Sequence, residues 1–134
     1  MFGTYQQSNI RIEVDAAAEA IRDSLTLPAQ LKQWLWPQQF SGQFAARFSA
    51  GQTFESTAGP IALHHTVEAV TPNSVRLLLH GSIDGFHEWY WGDGWVQSRL
   101  EGISMLPLNL AQTTSLLRLR LFLQRQRAET QLTA

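Results

Sequence analysis

The stretch Gly85–Glu101, GFHEWYWGDGWVQSRLE, decides how the rest of the chain is read. Asp93-Gly94 is a turn signal between two extended arms, and the arms hold three of the chain's five tryptophans, Trp89, Trp91 and Trp95. If Asp93-Gly94 forms a two-residue turn, alternation along the strands puts His87, Trp89, Trp91, Val96, Ser98 and Leu100 on one face. Glu88, Tyr90, Trp95, Gln97, Arg99 and Glu101 then share the other. A three-residue loop Gly92-Asp93-Gly94 would instead align Trp91 with Trp95, Gln97 and Arg99 and leave a mixed face. The first register, which separates apolar from polar, is preferred. It turns Trp89 and Trp91 toward the concave side of a sheet, to meet Leu77 and Leu79 of the preceding strand.

Upstream of this hairpin the chain runs in short extended segments broken by glycine or proline: SGQFAARFSAG, QTFESTAG, ALHHTVEAVTP and SVRLLLHG. Turn signals at Ala50-Gly51, Gly59-Pro60 and Pro72-Asn73 recur at the spacing of an antiparallel meander. Ile83-Asp84-Gly85 suits a three-residue hairpin loop with its glycine in the left-handed position. Further back, Ser8–Val14 alternates Ile10, Ile12 and Val14 with Arg11 and Glu13, the pattern of a half-buried strand. Asp15 then stands where a helix N-cap belongs, before the helix formers AAAEAIRDSL. Pro28 opens a second short helix, with Leu31, Trp34 and Leu35 on one face and Pro37 ending it.

Downstream of the hairpin, after Pro107, the helical period returns in LNLAQTTSLLRLRLFLQRQR, followed by a polar tail, AETQLTA, expected to fray. On the helical wheel Leu110, Leu117 and Leu121 fall on one side with Thr114, and Leu116, Leu119 and Leu123 fall nearly opposite. The first side is expected over the sheet, with Leu117 or Leu121 against Trp89. The second side, bordered by Arg118, Arg120, Arg125 and Arg127, is then left to solvent, to an anionic membrane surface or to a second subunit. The predicted fold class is α+β: a curved antiparallel sheet of about six or seven strands around a long C-terminal helix, with two short helices after the first strand.

Composition narrows the function classes. At 134 residues the chain fits one domain, 1–134, with enough buried surface for a core. There is no cysteine, which excludes disulfides, thiolate metal sites and a cysteine nucleophile. A net charge of −1 gives no general attraction to nucleic acid. No apolar run reaches the ~20 residues of a transmembrane helix. The opening MFGTYQQSN has no basic segment leading into an apolar one, so no secretory signal is expected and a cytoplasmic location is the default.

Ile10–Pro37, IRIEVDAAAEAIRDSLTLPAQLKQWLWP, resembles the START-like or helix-grip superfamily, also called SRPBCC. The likeness is to the branch of polyketide cyclase-like proteins and activator homologues of the large cytosolic heat-shock ATPase. Asp15, Ala16, Glu19, Pro28, Leu31, Trp34 and Pro37 stand where that branch's pattern puts them, whereas Ile21 replaces a common aromatic. The resemblance implies a strongly curved sheet gripping the C-terminal helix, with a pocket between them that in many relatives holds an apolar or amphipathic molecule.

The residues support a matching reading. An aromatic and aliphatic lining supplies affinity for rings or acyl chains, and a few polar groups set orientation. The expected ligand-binding set is Trp89, Trp91, Leu77, Leu79, His65, His87, Ser98, Leu117 and Leu121. The corresponding function is binding of a small hydrophobic or amphipathic ligand, such as a lipid, polyketide or aromatic compound. The alternatives are a cyclase- or dehydratase-like enzyme in which His65 or His87 moves a proton, or a chaperone-associated interaction module. No acid–base pair, Gly-rich phosphate loop, nucleophile elbow or H-E-x-x-H helix is present, so no reaction and no cofactor is assigned. Metal binding is not expected, because His64 and His65 must face opposite sides of a strand and His80 and His87, a candidate pair across a hairpin, lack a third ligand. A homodimer through the C-terminal helix, using Leu119 and Leu123, is the remaining partner expectation.

Overall fold

The computed structural model describes residues 3–35, 38–42 and 44–133. In chain order the elements are β1 (Thr4–Glu13), α1 (Ala18–Thr26), α2 (Pro28–Trp34), β2 (Gln39–Ser41), β3 (Thr53–Ala58), β4 (Ile61–Thr71), β5 (Ser74–Gly81), β6 (Ile83–Gly92), β7 (Trp95–Ser104) and α3 (Leu108–Thr133). The strands make one sheet in the order β1-β7-β6-β5-β4-β3-β2, and every pairing is antiparallel. Pro37, read as the end of α2, lies outside the described residues.

Gly92 pairs with Trp95 and Trp91 with Val96, so Asp93-Gly94 is the two-residue turn of the preferred register. Gly94 supplies the left-handed position, with φ 81°. His87, Trp89 and Trp91 consequently lie opposite Leu100, Ser98 and Val96 on the concave face. On the convex face Glu88, almost buried, takes the Arg76 guanidinium at 2.6 Å, and Arg99 meets Glu101 at 2.8 Å. Phe86 lies beneath the Arg76 guanidinium, 4.0 Å away. The convex side is thus an ion-pair lattice and the concave side an apolar one.

The turn also starts α1. Val14 N–H donates to Gly94 O and Gly94 N–H to Ala16 O, each at 3.0 Å, which ties Val14–Ala16 to the turn and leaves Asp15 two residues short of the N-cap position. The N-cap position therefore falls to Ala17, which offers no side-chain cap, and the Asp93 carboxylate accepts from Ala18 N–H at 2.8 Å instead. A carboxylate on those free amides is worth about 1 kcal/mol. Asp15, expected in that role, pairs with Arg127 of α3.

The expected loop at Ile83-Asp84-Gly85 is also displaced. These residues already belong to β6, Leu79 pairs with Gly85, and the chain reverses around Ser82. Gly85 is required for proximity: a Cβ there would lie 1.9 Å from Glu101 O on β7.

At 26 residues α3 is about 39 Å long and extends through the tail that composition suggested would fray. Its buried row is Leu108, Gln112, Leu116, Leu119 and Leu123, none more than 2% exposed. Leu110, Leu117 and Leu121 are 64%, 49% and 51% exposed, so the expected orientation of the helix is reversed. Each row holds one polar residue, Gln112 or Thr114, but the row beginning at Leu108 continues through three leucines, Leu116, Leu119 and Leu123, against two, Leu117 and Leu121, in the competing row. Leu119 and Leu123 are core, which removes them as a subunit interface. Arg120 donates to Glu13 O at 2.9 Å and, with the Arg127 pair, fastens the helix flank to the end of β1. Among the described residues no helix is long and apolar enough to cross a membrane.

Candidate functional site

The sheet curls under α3, and what α3 presents to it changes along its length. From Leu116 onward, Leu116, Leu119 and Leu123 are buried in the core. In the N-terminal half exposed Ala111, buried Gln112 and half-buried Ser115 border a cavity of about 100 Å³. The strands contribute Leu77 and Leu79 from β5, Trp89 from β6 and Leu100 from β7; α1 and α2 contribute Leu25 and Leu31. Its polar members are few: His65, His87 and Gln112, with Ser115 and Gln38. Among the described lining residues there is no Asp, Glu, Lys or Arg.

Five of the nine expected residues line this space: His65, Leu77, Leu79, His87 and Trp89. Ser98 lies directly behind the wall, fully buried, with Oγ 2.6 Å from His87 Nε2. Three were misplaced. Trp91, two residues and about 7 Å farther along β6, is packed beyond the cavity, with its indole N–H on Pro72 O at 3.2 Å. Leu117 and Leu121 are on the outer side of α3, because the helix faces inward through its other leucine row.

The sequence reading missed Phe54, Phe48 and Gln112. Phe54 stacks on His65, ring centroids 4.4 Å apart, and Phe48 stacks on Phe54 at 5.0 Å. Period two along QTFESTAG would have placed Phe54 inward beside Ser56, since Phe54 pairs with His65 and Ser56 with Leu63. Phe48 is in irregular chain, where periodicity gives no signal. Trp34 of α2 meets Trp89 edge to face at 6.0 Å and donates its indole N–H to Ser24 O at 2.8 Å, which fixes the aromatic end of the cavity.

Both cavity histidines are neutral at physiological pH. Burial pushes the His87 imidazole down to about 3, helped by nearby His65. Burial likewise pushes His65 down to about 4, with adjacent His64 adding to it. His65 Nε2 lies 2.9 Å from Ser56 Oγ, and its Nδ1 is sealed in without a partner. His80 does not approach His87: it pairs across β4 and β5 with His64 on the convex face, ring centroids 6.5 Å apart. Among the described residues no group of three metal-ligating side chains comes together.

Gln112 connects α3 to the sheet. Its Nε2 donates to Ser98 O at 2.7 Å, to Ser98 Oγ at 2.9 Å and to Ser8 O at 3.2 Å, and its Oε1 accepts from Ser8 Oγ. A buried glutamine in an apolar helix face is a cost unless every group is satisfied, and here each finds a partner.

No protein-family model and no curated protein matches the sequence. The likeness is in three dimensions. MLL2253 from Mesorhizobium loti superposes with a TM-score of 0.72 at 14% identity, over 90% of this chain and 98% of that one. The Aha1 dimer from Colwellia psychrerythraea gives 0.70 at 21% identity, over 88% of this chain and 96% of that one. The chain has the helix-grip fold. DynU16, a protein in the dynemicin biosynthetic locus, matches at 0.69 and 14% identity over 88% of this chain, which spans about half of DynU16, 47%. At these identities the shared property is the grip of sheet on helix, and the cavity must be read from its own residues.

Proposed function

We propose that this helix-grip chain, taken as one domain over residues 1–134, binds a small, predominantly apolar molecule between the sheet and α3. The observation that carries the reading is the apolar cavity of about 100 Å³ beneath Ala111 and Ser115. Its size is of the order of the engineered apolar cavity of about 150 Å³ that takes up benzene in another protein. That favours a single ring or a short chain over a long acyl chain or a fused polyketide. Two neutral histidines with no carboxylate beside them are poor partners for proton transfer, which places the cyclase-like alternative second. A chaperone-associated role rests only on the likeness to the Aha1 dimer.

Titrating the protein with toluene and following tryptophan emission tests the reading, because Trp89 lines the cavity and Trp34 touches Trp89. Saturable change is expected in the parent. Ser115→Leu, which puts an isobutyl group into the space, is expected to weaken binding about tenfold or more, a loss of roughly 1.4 kcal/mol. No response in the parent, or an equal response in the filled variant, overturns the proposal.

The partner expectation moves with the helix. A homodimer formed through α3 would use Leu110, Leu117 and Leu121, which remain exposed. The Leu117→Glu/Leu121→Glu double variant is then expected to sediment as a monomer and the parent as a dimer; a parent monomeric at every concentration reached removes this reading.

A further inference from the structure

The hydrogen bonds behind the cavity wall fix which ring nitrogen of His87 carries the proton. Gln112 Nε2 faces two backbone carbonyls, Ser98 O and Ser8 O, which can only accept, so the amide nitrogen must be on that side. One of its two hydrogens is shared between Ser98 O and Ser98 Oγ, the latter at 2.9 Å, and since an amide nitrogen cannot accept, Ser98 Oγ must send its own hydrogen elsewhere. Ser98 Oγ has one hydrogen of its own, and the acceptor in reach is His87 Nε2 at 2.6 Å. His87 Nε2 is therefore an acceptor. A neutral imidazole that accepts at Nε2 holds its hydrogen at Nδ1.

That Nδ1–H has no partner among the described residues. Unlike His65 Nδ1 it is not sealed off by protein atoms, and the ring that carries it lines the cavity. Asn109 Nδ2 donates to Ser8 Oγ at 3.0 Å and extends the chain of donors outward: Asn109, Ser8, Gln112, Ser98, His87. Each hydroxyl or amide in it is committed in one direction, so the tautomer is held by a network and not by one contact.

Resting on the cavity-binding reading, we propose that His87 offers an Nδ1–H donor to the cavity and that the ligand is an uncharged ring-sized or short-chain molecule carrying one hydrogen-bond acceptor, such as a ketone or aldehyde carbonyl. The charge limit follows from the lining. A carboxylate or phosphate would be buried with no Lys or Arg beside it, and an ammonium with no Asp or Glu. A plain hydrocarbon would fill the space but leave the donor unsatisfied, whereas a carbonyl oxygen satisfies it. Ser98 and Gln112 act through His87 and are positioning residues.

Two measurements test this. In 15N-histidine-labelled protein at pH 7, the long-range proton–nitrogen spectrum should show His87 protonated at Nδ1 and bare at Nε2, with His87→Gln supplying the assignment. The opposite tautomer overturns the proposal without touching the cavity reading. In the second, cyclohexanone, methylcyclohexane and cyclohexanecarboxylate are titrated against the parent, His87→Phe and Ser98→Ala. The ketone should bind the parent about tenfold more tightly than the hydrocarbon, the carboxylate should not bind, and the ketone's advantage should vanish in His87→Phe while the hydrocarbon still binds. In Ser98→Ala the advantage should shrink, as the tautomer is released. Equal binding of ketone and hydrocarbon, or tight binding of the carboxylate, overturns this proposal alone. Binding of none of the three removes the cavity reading and this one with it.

Discussion

Between pH 7 and pH 5 the unfolding free energy is expected to fall by about 4 kcal/mol, and most of that fall is expected to be absent from a His65→Gln/His87→Gln double variant. The loss follows from burial. Unfolded, each imidazole titrates near 6.5; folded, burial holds His65 at about 4 and His87 at about 3. Below pH 6.5 the unfolded chain therefore binds protons that the native chain refuses, and stability drops by about 1.4 kcal/mol per histidine for each pH unit. The contribution is fully present above 6.5 and is lost as pH falls toward the folded values. Against a typical stability of about 5–15 kcal/mol, the loss is a large fraction of the total. Glu101 separates cleanly from this window. Hydrogen bonds from Arg99, and then from Tyr5, hold its carboxyl below the usual range, so its share of stability is lost only as pH falls below about 4.5. Urea unfolding at pH 7, 6 and 5 in parent and double variant measures the difference; a parent curve as flat as the variant's shows that the histidines are hydrated.

That sensitivity depends on elements whose legibility differed. The β6–β7 register was readable because one residue of slip exchanges the two faces, and only one register puts Trp89 and Trp91 together opposite Val96, Ser98 and Leu100. Glycine at position 94 then fits the single left-handed residue the turn needs. The cap on α1 was not readable. Its acceptor, Asp93, comes from a hairpin 75 residues away from Ala18, and local pattern could only offer the nearby Asp15. Trp91 was misplaced for a different reason. Alternation assigns a face, but it does not say where along the strand the covering helix ends its small residues and begins its leucines. The cavity is bordered on α3 by Ala111, Gln112 and Ser115, so it becomes legible only once the inward face of α3 is known. That face was the ambiguous one, because the helix carries leucines on both sides.

Leu119→Ala and Leu117→Ala test the choice of face, and they are expected to behave oppositely although they delete the same atoms two residues apart. Leu119 is fully buried and Leu117 is 49% exposed. Removing three carbons from a closed site costs the transfer free energy plus that of the cavity left behind, about 2–5 kcal/mol, whereas the exposed position should change stability by no more than about 0.5 kcal/mol. Urea midpoints at pH 7 with an unchanged slope give both values directly. The reverse order would mean that α3 presents Leu110, Leu117 and Leu121 to the sheet. Such a rotation would also take Gln112, which shares the row of Leu116 and Leu119, away from Ser98 and Ser8. Ser98 would lose the amide that commits its hydroxyl to His87, and the Nδ1 tautomer would no longer be held. The leucine pair therefore tests more than packing, since the same face of α3 that closes the core directs the polar group in the cavity.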